Sequence, residues 1–233
     1  MAANLIIYGS PLSPFQRKVE AVMGVKGLEY DVKAVNLGNL PDWYNELNPL
    51  GSIPTLRDTD VAGDGSMGTI PDSSAMCAYL EKKYTKPSLY PSDPFRYGRA
   101  LWIEEFADTA MARAGGLGLF RPIAFALFAG KEPDLDTARK TWTKDLPPLY
   151  DYLEGQMDGS EWFIGDRLTM ADIAVACQMM QTDMLVGPPD AEKWPALVSL
   201  LNRLKSHDAF QANLGACEKI LGKVMPEKYD LNG

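Results

Sequence analysis

A serine–proline pair near the start of the chain stands between a short apolar run and a helical pattern. The run covers residues 5–8 and is typical of a buried strand, and Ser13-Pro14-Phe15 follows it after a tight turn. Serine accepts hydrogen bonds from the free N–H groups of a helix start, and proline suits the first helical position because its φ is preset. The sequence therefore predicts a strand, a turn and an amphipathic helix over 14–26 that Ser13 caps.

Strand and helix patterns alternate over residues 1–84. Strands are predicted at 5–8, 30–35, 55–58 and 67–70, and helices at 14–26, 42–47 and 73–84. Aspartate and glycine turn formers between 58 and 68 predict a long hairpin loop. This order, βαβ followed by ββα, is that of a thioredoxin-like α/β domain.

The rest of the chain carries helical patterns. Residues 85–94 contain three prolines that break helical periodicity, so this stretch is predicted to be a linker. Helices are predicted at 97–114, 136–157, 170–185 and 194–205, with a shorter one after His207. Residues 115–130 are predicted to be buried helix and turn. The second domain, 95–233, is therefore predicted to be all-α.

Thr169 and Asp172 specify one helix start in this second domain. Their spacing matches a capping box, in which a hydroxyl and a carboxylate each satisfy N–H groups of the first helical turn. Leu168 and Ile173 are spaced to form the accompanying hydrophobic staple. Because these motifs account for the residue types, Asp172 is predicted to be structural rather than a catalytic acid.

Composition excludes several classes of function. With 31 acidic against 23 basic residues, the chain is not expected to bind nucleic acid or an anionic membrane. The three cysteines are far apart and form neither a disulfide framework nor a zinc site, so a reducing cytoplasm and no metal are expected. Residues 1–5 lack the features of a secretory signal, and the apolar window 115–130 is shorter than the roughly 20 residues of a membrane span.

Three motifs together resemble the glutathione transferase family over nearly the whole chain. They are Ser13-Pro14-Phe15, Ile53-Pro54 before a strand, and Asp72-Ser73 at a helix start. The match is to serine-type members, similar to the theta, phi and zeta classes and their bacterial relatives. The resemblance implies a thioredoxin-like domain that binds glutathione as co-substrate, followed by a helical bundle that lines the electrophile site. It also implies a homodimer.

The implied chemistry is to convert the glutathione thiol, with a pKa of about 8.5, into a thiolate near neutral pH. Lowering that pKa by two units requires about 2.7 kcal/mol. A hydrogen bond to a charged acceptor contributes roughly 1.5–3 kcal/mol, and a helix N-terminus adds about 0.3–1 kcal/mol. Ser13 at the helix cap can supply both, so it is the predicted catalytic donor. The hydroxyls of Ser10 and Tyr8 compete for this role.

The resemblance also implies how glutathione is held. Ile53, before a cis proline at Pro54, would pair through its backbone with the cysteinyl amide. Ser73 would hold the γ-glutamyl carboxylate at a helix N-terminus, and Asp72 its ammonium group. Ser52 is a departure, because many relatives have lysine or glutamine there, so the glycine carboxylate lacks an obvious cation. Lys33 and Arg17 are alternative cations.

The remaining site residues are those of a pocket for the electrophile. Its residue types suggest an apolar acceptor, although such stripes also form cores. The family resemblance predicts conjugation of glutathione to small hydrophobic electrophiles. Peroxide reduction, isomerisation and dehalogenation use the same thiolate and remain alternatives, as does a non-catalytic binding or regulatory module. The predicted pocket residues are Leu12, Phe106, Met111, Arg113 and Phe120.

Overall fold

A computed structural model describes residues 3–36, 38–62 and 65–232. They form two compact units. The first contains the residues up to Ser88 together with Asp208–Asn213, and the second contains Leu89–His207 and the residues from Leu214 onward. The sequence-based division placed 208–213 with the second domain. It missed this association because packing between residues so distant in the chain leaves no local pattern.

The first unit has the predicted βαβ and ββα order around a four-stranded sheet. The strand order is β2-β1-β3-β4, with β1 and β2 parallel and β3 antiparallel to both β1 and β4. The thioredoxin-like α/β plan is therefore confirmed, although β4 is shorter than predicted. The elements are β1 (Leu5–Gly9), α1 (Pro14–Val25), β2 (Tyr30–Ala34), α2 (Asp42–Leu47), β3 (Thr55–Asp58), β4 (Thr69–Ile70) and α3 (Ser73–Lys83).

Helix α1 is buried along most of its length, including its polar side chains. Gln16, Arg17 and Lys18 are fully buried and Glu20 nearly so. An amphipathic helix ordinarily turns its polar side chains to solvent, whereas the polar side chains of α1 lie in the interior. The reason is that polar groups of other segments cover α1: Lys18 Nζ, for example, donates to Ser74 Oγ of α3 at 3.0 Å.

The second unit is helical, as predicted. Helix α4 (Pro94–Phe128) is followed by α5 (Leu135–Lys140), which continues through a π-helical turn at Thr141–Asp145. No strand is assigned among its described residues. The remaining helices are α6 (Pro147–Met157), α7 (Met170–Val186), α8 (Pro195–Lys205) and α9 (Asp208–Leu221), of which α9 has its first six residues in the first unit.

Helix α4 runs much further than the predicted 97–114. It remains helical through Pro122 because the segment Gly116–Phe125 is π-helical, and this altered hydrogen-bond pattern accommodates a residue without an N–H donor. Among the described residues, α4 alone is long and apolar enough to pass a length-and-composition test for a membrane span. This is a weak indication, because core helices of soluble proteins pass the same test.

The start of α7 is built as the sequence predicts. The Asp172 carboxylate accepts from Thr169 N at 2.8 Å, from Thr169 Oγ1 at 2.7 Å and from Phe163 N at 2.9 Å. Burial raises the pKa of this carboxyl to about 6, against the opposing effect of these donors. Asp172 thus closes the capping box and also fixes the preceding loop through Phe163, which confirms its structural role.

Replacing Asp172 tests this role. Asp172→Ala is expected to lower the free energy of unfolding by roughly 2–3 kcal/mol, because it removes the cap and leaves buried N–H groups without an acceptor. Urea denaturation measures the change, with Asp166→Ala as a control at an exposed position of the preceding loop. Equal stability of the two variants would contradict the structural role.

Gly118 allows α4 to approach the π-helical turn Thr141–Asp145 closely. A Cβ at Gly118 would lie 2.2 Å from Thr141 Oγ1 and 2.7 Å from its Cγ2, whereas a Cβ at Gly116 would have no neighbour within 4 Å. Thr141 is β-branched and buried, so it has little freedom to move aside.

The two glycines make a matched pair. Gly118→Ala is expected to destabilise the protein by about 1–3 kcal/mol through overpacking. Gly116→Ala is expected to be neutral or slightly stabilising, since alanine is the better helix former. Thermal and urea unfolding of both variants measure the difference, and a Gly118→Ala protein as stable as Gly116→Ala would show that the close approach is not required.

Candidate functional site

The turn between β1 and α1 presents Ser13 at the helix start. Ser13 N donates to Ser10 O at 2.9 Å, and the Ser13 hydroxyl oxygen accepts from Gln16 N at 3.3 Å. With Pro14 in the first helical position, the predicted cap is confirmed. The hydrogen bond from Gln16 N uses one lone pair of the Ser13 hydroxyl oxygen. No described residue accepts the hydroxyl proton of Ser13. The proton is therefore available to a ligand beside the helix N-terminus.

The two competing hydroxyls are in different surroundings. The Ser10 hydroxyl oxygen accepts from Leu12 N at 3.4 Å within the same turn. Tyr8 is 4% exposed and packs in a cluster with Val35, Tyr44 and Leu47. Its ring is also flanked by cationic side chains at 5.7 Å from the ring centroid. The burial of Tyr8 makes it the less accessible donor, whereas Ser10 lies in the same turn as Ser13.

The segment before β3 forms a tightly held turn. The Ile53–Pro54 peptide bond is cis. Asn48 Nδ2 lies 2.8 Å from Ser52 O and 3.1 Å from Thr55 Oγ1, and the Tyr44 hydroxyl donates to Ser52 O at 2.7 Å. These bonds hold the chain on both sides of the cis bond. Within the described structure the backbone groups of Ile53 have no protein partner, so they can pair with an extended ligand.

Asn48 also reaches the start of α3. Its Nδ2 lies 3.4 Å from Pro71 O, directly before Asp72, whose carboxylate caps α3 by accepting from Ala75 N at 2.8 Å. Ser73 lies in the first turn of the helix and is nearly buried. One carboxylate oxygen of the exposed Asp72 thus serves as a cap, and the other faces no described donor. The combination supplies a negative charge beside the N–H groups of a helix start.

Packing brings the turn of Ser13 and the cis turn together. A Cβ placed on Gly9, the last residue of β1, would lie 3.4 Å from Ile53 Cβ. Because Asn48 joins the cis turn to the start of α3, the three predicted segments lie at one end of the sheet. The sequence analysis assigns no role to Asn48 or Tyr44. Asn48 lies five residues before the predicted Ile53-Pro54 motif, and no sequence pattern marks Tyr44.

The predicted cations for the ligand carboxylate have different surroundings. Arg17 is fully buried, and its Nε donates to Asn213 Oδ1 at 2.8 Å, so it belongs to the interior. Lys33 is exposed on β2, with its ammonium group over the ring of Tyr8. Ser52 is exposed, and its hydroxyl oxygen lies 3.2 Å from Asn48 Nδ2, which leaves its proton to donate.

The predicted pocket residues belong to both units. Leu12 lies in the first unit, partly exposed beside Ser13. In the second unit Phe106 is partly exposed and packs on Tyr152 with ring centroids 4.8 Å apart, whereas Arg113 is exposed. Met111 and Phe120 are 2% and 8% exposed and belong to the core of that unit.

Comparisons with known proteins agree with these features. A family model described as "Glutathione S-transferase, N-terminal domain" matches residues 7–88, and one described as "Glutathione S-transferase, C-terminal domain" matches residues 109–208. The chain is 29% identical over 221 residues to a glutathione S-transferase of Triticum aestivum, with 91% of this chain and 93% of that protein covered.

Two further proteins extend the comparison. The chain is 26% identical over 218 residues to a probable maleylacetoacetate isomerase 1 of Drosophila melanogaster, with 91% of this chain and 82% of that protein covered. The crystal structure of a glutathione S-transferase from Rhodospirillum rubrum F11 is similar with a TM-score of 0.80 and 26% identity, over 90% of this chain and 91% of that one.

Asn48 is the structural anchor of this end of the sheet. Asn48→Ala is expected to lower the free energy of unfolding by about 2–3 kcal/mol, because the buried Thr55 hydroxyl and the part-buried carbonyls of Ser52 and Pro71 all lose contact with the Asn48 amide. Urea denaturation measures the change. Asn45→Ala, one helical turn earlier and exposed, is the control and is expected to change stability by no more than about 0.5 kcal/mol. An Asn48→Ala protein as stable as this control would contradict the anchoring role.

Proposed function

Because this chain belongs to the glutathione S-transferase family, we propose that it is a cytoplasmic enzyme that conjugates glutathione to small hydrophobic electrophiles. The single observation that carries the proposal is the state of the Ser13 hydroxyl. Its oxygen caps α1, while its proton has no acceptor among the described residues. A thiolate at this point would receive that proton as a hydrogen bond and would also lie at the positive end of the helix dipole.

The size of the effect is sufficient for the task. A hydrogen bond from the Ser13 hydroxyl to a thiolate is worth roughly 1.5–3 kcal/mol, which lowers the thiol pKa by about one to two units. Such a shift brings a thiol pKa of about 8.5 close to neutrality. Serine acts here as a donor to the sulfur, and the thiolate is the nucleophile that attacks the electrophile.

The rest of glutathione would bind along the same end of the sheet. The backbone groups of Ile53, which have no partner among the described residues, match the cysteinyl amide and carbonyl of glutathione. The N–H groups at the start of α3, with Ser73, would hold the γ-glutamyl carboxylate. The Asp72 carboxylate would pair with the neighbouring ammonium group.

The glycine carboxylate would be held mainly by hydrogen bonding. Arg17 is engaged in the interior, so it is not a partner. The exposed Ser52 hydroxyl can donate to the carboxylate, and Lys33 is the remaining cation of the predicted pair. A neutral donor binds a carboxylate less strongly than an ammonium group does. We therefore expect this end of glutathione to contribute modestly to affinity.

The electrophile is proposed to be apolar. In the first unit, Leu12 offers partly exposed apolar surface beside Ser13. In the second unit, Phe106 is partly exposed and apolar, and Arg113 is exposed. The burial of Met111 and Phe120 supports a core role for these two residues. Exposed aromatic side chains on α4, Phe95 and Trp102, support the further proposal that the enzyme is a homodimer.

Isomerisation is the second candidate reaction. It is favoured by the similarity to the probable maleylacetoacetate isomerase over nearly the whole chain. A thiolate that adds to a conjugated double bond and then leaves permits rotation about that bond, and glutathione is regenerated. This reaction would use Ser13 in the same way, and it differs from conjugation only in the fate of the adduct.

Calorimetric titration with glutathione near neutral pH tests the role of Ser13. The wild-type protein is expected to bind with release of a proton, because the thiol ionises on binding. Ser13→Ala is expected to bind with little proton release and to lose about 10–100-fold in turnover of an electrophile. Ser10→Ala and Tyr8→Phe are measured beside it, with urea unfolding to confirm that each variant is folded.

Three outcomes would overturn parts of the proposal. Full activity in Ser13→Ala, with loss in Ser10→Ala or Tyr8→Phe, would move the role to that hydroxyl. Binding of glutathione without proton release in the wild type would indicate a holding site. Absence of glutathione binding would favour a non-catalytic binding or regulatory module with this fold.

A further inference from the structure

A buried polar network lies at the base of the turn that carries Ser13. Its members are Gln16, Arg17 and Glu20 of α1 and Asn213 of α9, and none is more than 4% exposed. All four belong to the first unit, although Asn213 is almost 200 residues from the others in the chain. Burying this many polar groups is costly unless they are matched, and within this network Gln16 Oε1 is the one buried side-chain atom with no partner among the described residues.

Asn213 holds the chain on the N-terminal side of Ser13. Its Nδ2 donates to Glu20 Oε2 at 2.7 Å and lies 3.3 Å from Pro11 O, the carbonyl two residues before Ser13. Its Oδ1 accepts from Arg17 Nε at 2.8 Å, and Arg17 Nη2 makes a longer contact of 3.5 Å with the same Pro11 carbonyl. The amide is thus used at both ends, and it ties the turn to the helix beneath it.

Glu20 holds the chain on the C-terminal side of Ser13. Gln16 N is the group that donates to the Ser13 hydroxyl oxygen, and Gln16 Nε2 donates to Glu20 Oε1 at 2.6 Å. Each oxygen of the Glu20 carboxylate therefore receives a donor, one from Gln16 and one from Asn213. Burial raises the pKa of Glu20, an effect that these two donors and the charge of Arg17 oppose.

We propose that Asn213 is a positioning residue for the Ser13 hydroxyl, which it directs by holding the Pro11 carbonyl and the Glu20 carboxylate. The inference rests on the proposed function, in which Ser13 donates to the glutathione thiolate. Hydrogen-bond strength falls steeply with misalignment, and small displacements of a reacting group have large effects on rate. A turn held less firmly on the side of Pro11 would therefore leave the hydroxyl present but poorly aligned with the sulfur.

Close packing brings Asn213 to this position. A Cβ added to Gly24 of α1 would lie 2.8 Å from Ala209 Cβ and 2.9 Å from Ala209 Cα, so the glycine lets the start of α9 approach α1. Asn213 lies one helical turn further along α9 than Ala209, on the same face. The positioning of Ser13 thus depends on a segment that the sequence places far from the glutathione-binding motifs.

Two variants separate positioning from stability. Asn213→Ala removes every bond of the amide. The double variant Asn213→Asp with Glu20→Gln exchanges the amide and the carboxylate, so the bond between the two positions can form with its direction reversed. Arg17 and Gln16 keep acceptors, and the net charge is unchanged. The Pro11 carbonyl, however, loses its donor at position 213 and keeps the longer contact to Arg17 Nη2.

The measurement is the pKa of the bound glutathione thiol, obtained from thiolate ultraviolet absorbance against pH, together with urea unfolding. Asn213→Ala is expected to raise this pKa by about one unit, a tenfold loss of thiolate at fixed pH. The double variant is expected to recover stability but to keep the raised thiol pKa. Asn202→Ala, at an exposed position of α8, is the control and is expected to match the wild type.

The outcomes distinguish this inference from the proposed function. If the wild type does not lower the thiol pKa, or if Ser13→Ala leaves it unchanged, the proposed function fails and the inference fails with it. If both behave as proposed but the double variant has a wild-type thiol pKa, the inference alone is overturned. Loss of folding in both Asn213 variants would also overturn it, since the network would then serve stability.

Discussion

Helix α1 is enclosed by protein, and the polar side chains on it must therefore find partners in the interior. An unpaired buried polar group costs about 1–3 kcal/mol. Helix α1 carries four buried polar residues in its first two turns, so it is stable only where other segments supply complementary groups. Ser74 of α3 meets Lys18, and Asn213 of α9 meets Arg17 and Glu20. This requirement fixes the elements that surround α1 and, with them, the turn that carries Ser13.

The same principle operates at the other parts of the candidate site. Asn48 and Tyr44 satisfy the carbonyl of Ser52 before the cis bond, and Asn48 also contacts Thr55 and the carbonyl before Asp72. The loops that would hold glutathione are therefore fixed by buried side chains that do not themselves face the ligand. In the second unit, Asp172 does for the loop before α7 what Asn48 does here.

The proposed chemistry depends on this rigidity. A serine hydroxyl is an ordinary donor, and it lowers the pKa of a thiol only when its proton is aimed at the sulfur and the site needs no reorganisation. The cap bond from Gln16 N fixes the hydroxyl oxygen, while the buried network holds the chain before and after it. Catalytic power would then come from preorganisation of a common functional group.

Much of the secondary structure and fold of this protein can be predicted from its sequence, because local physical rules determine it. The preset φ at Pro14, the cap at Ser13, the short apolar run of the first strand and the spacing of Thr169 and Asp172 all act over a few neighbouring residues. They therefore determined the element order, the helix starts and the thioredoxin-like plan. Tertiary structure alone decided the extension of α4 through π-helical turns, the burial of the polar side chains on α1 and the contribution of Asn213. These features depend on packing between residues far apart in the chain. Such contacts produce no periodic pattern in the local sequence of either partner, so they cannot be predicted from it.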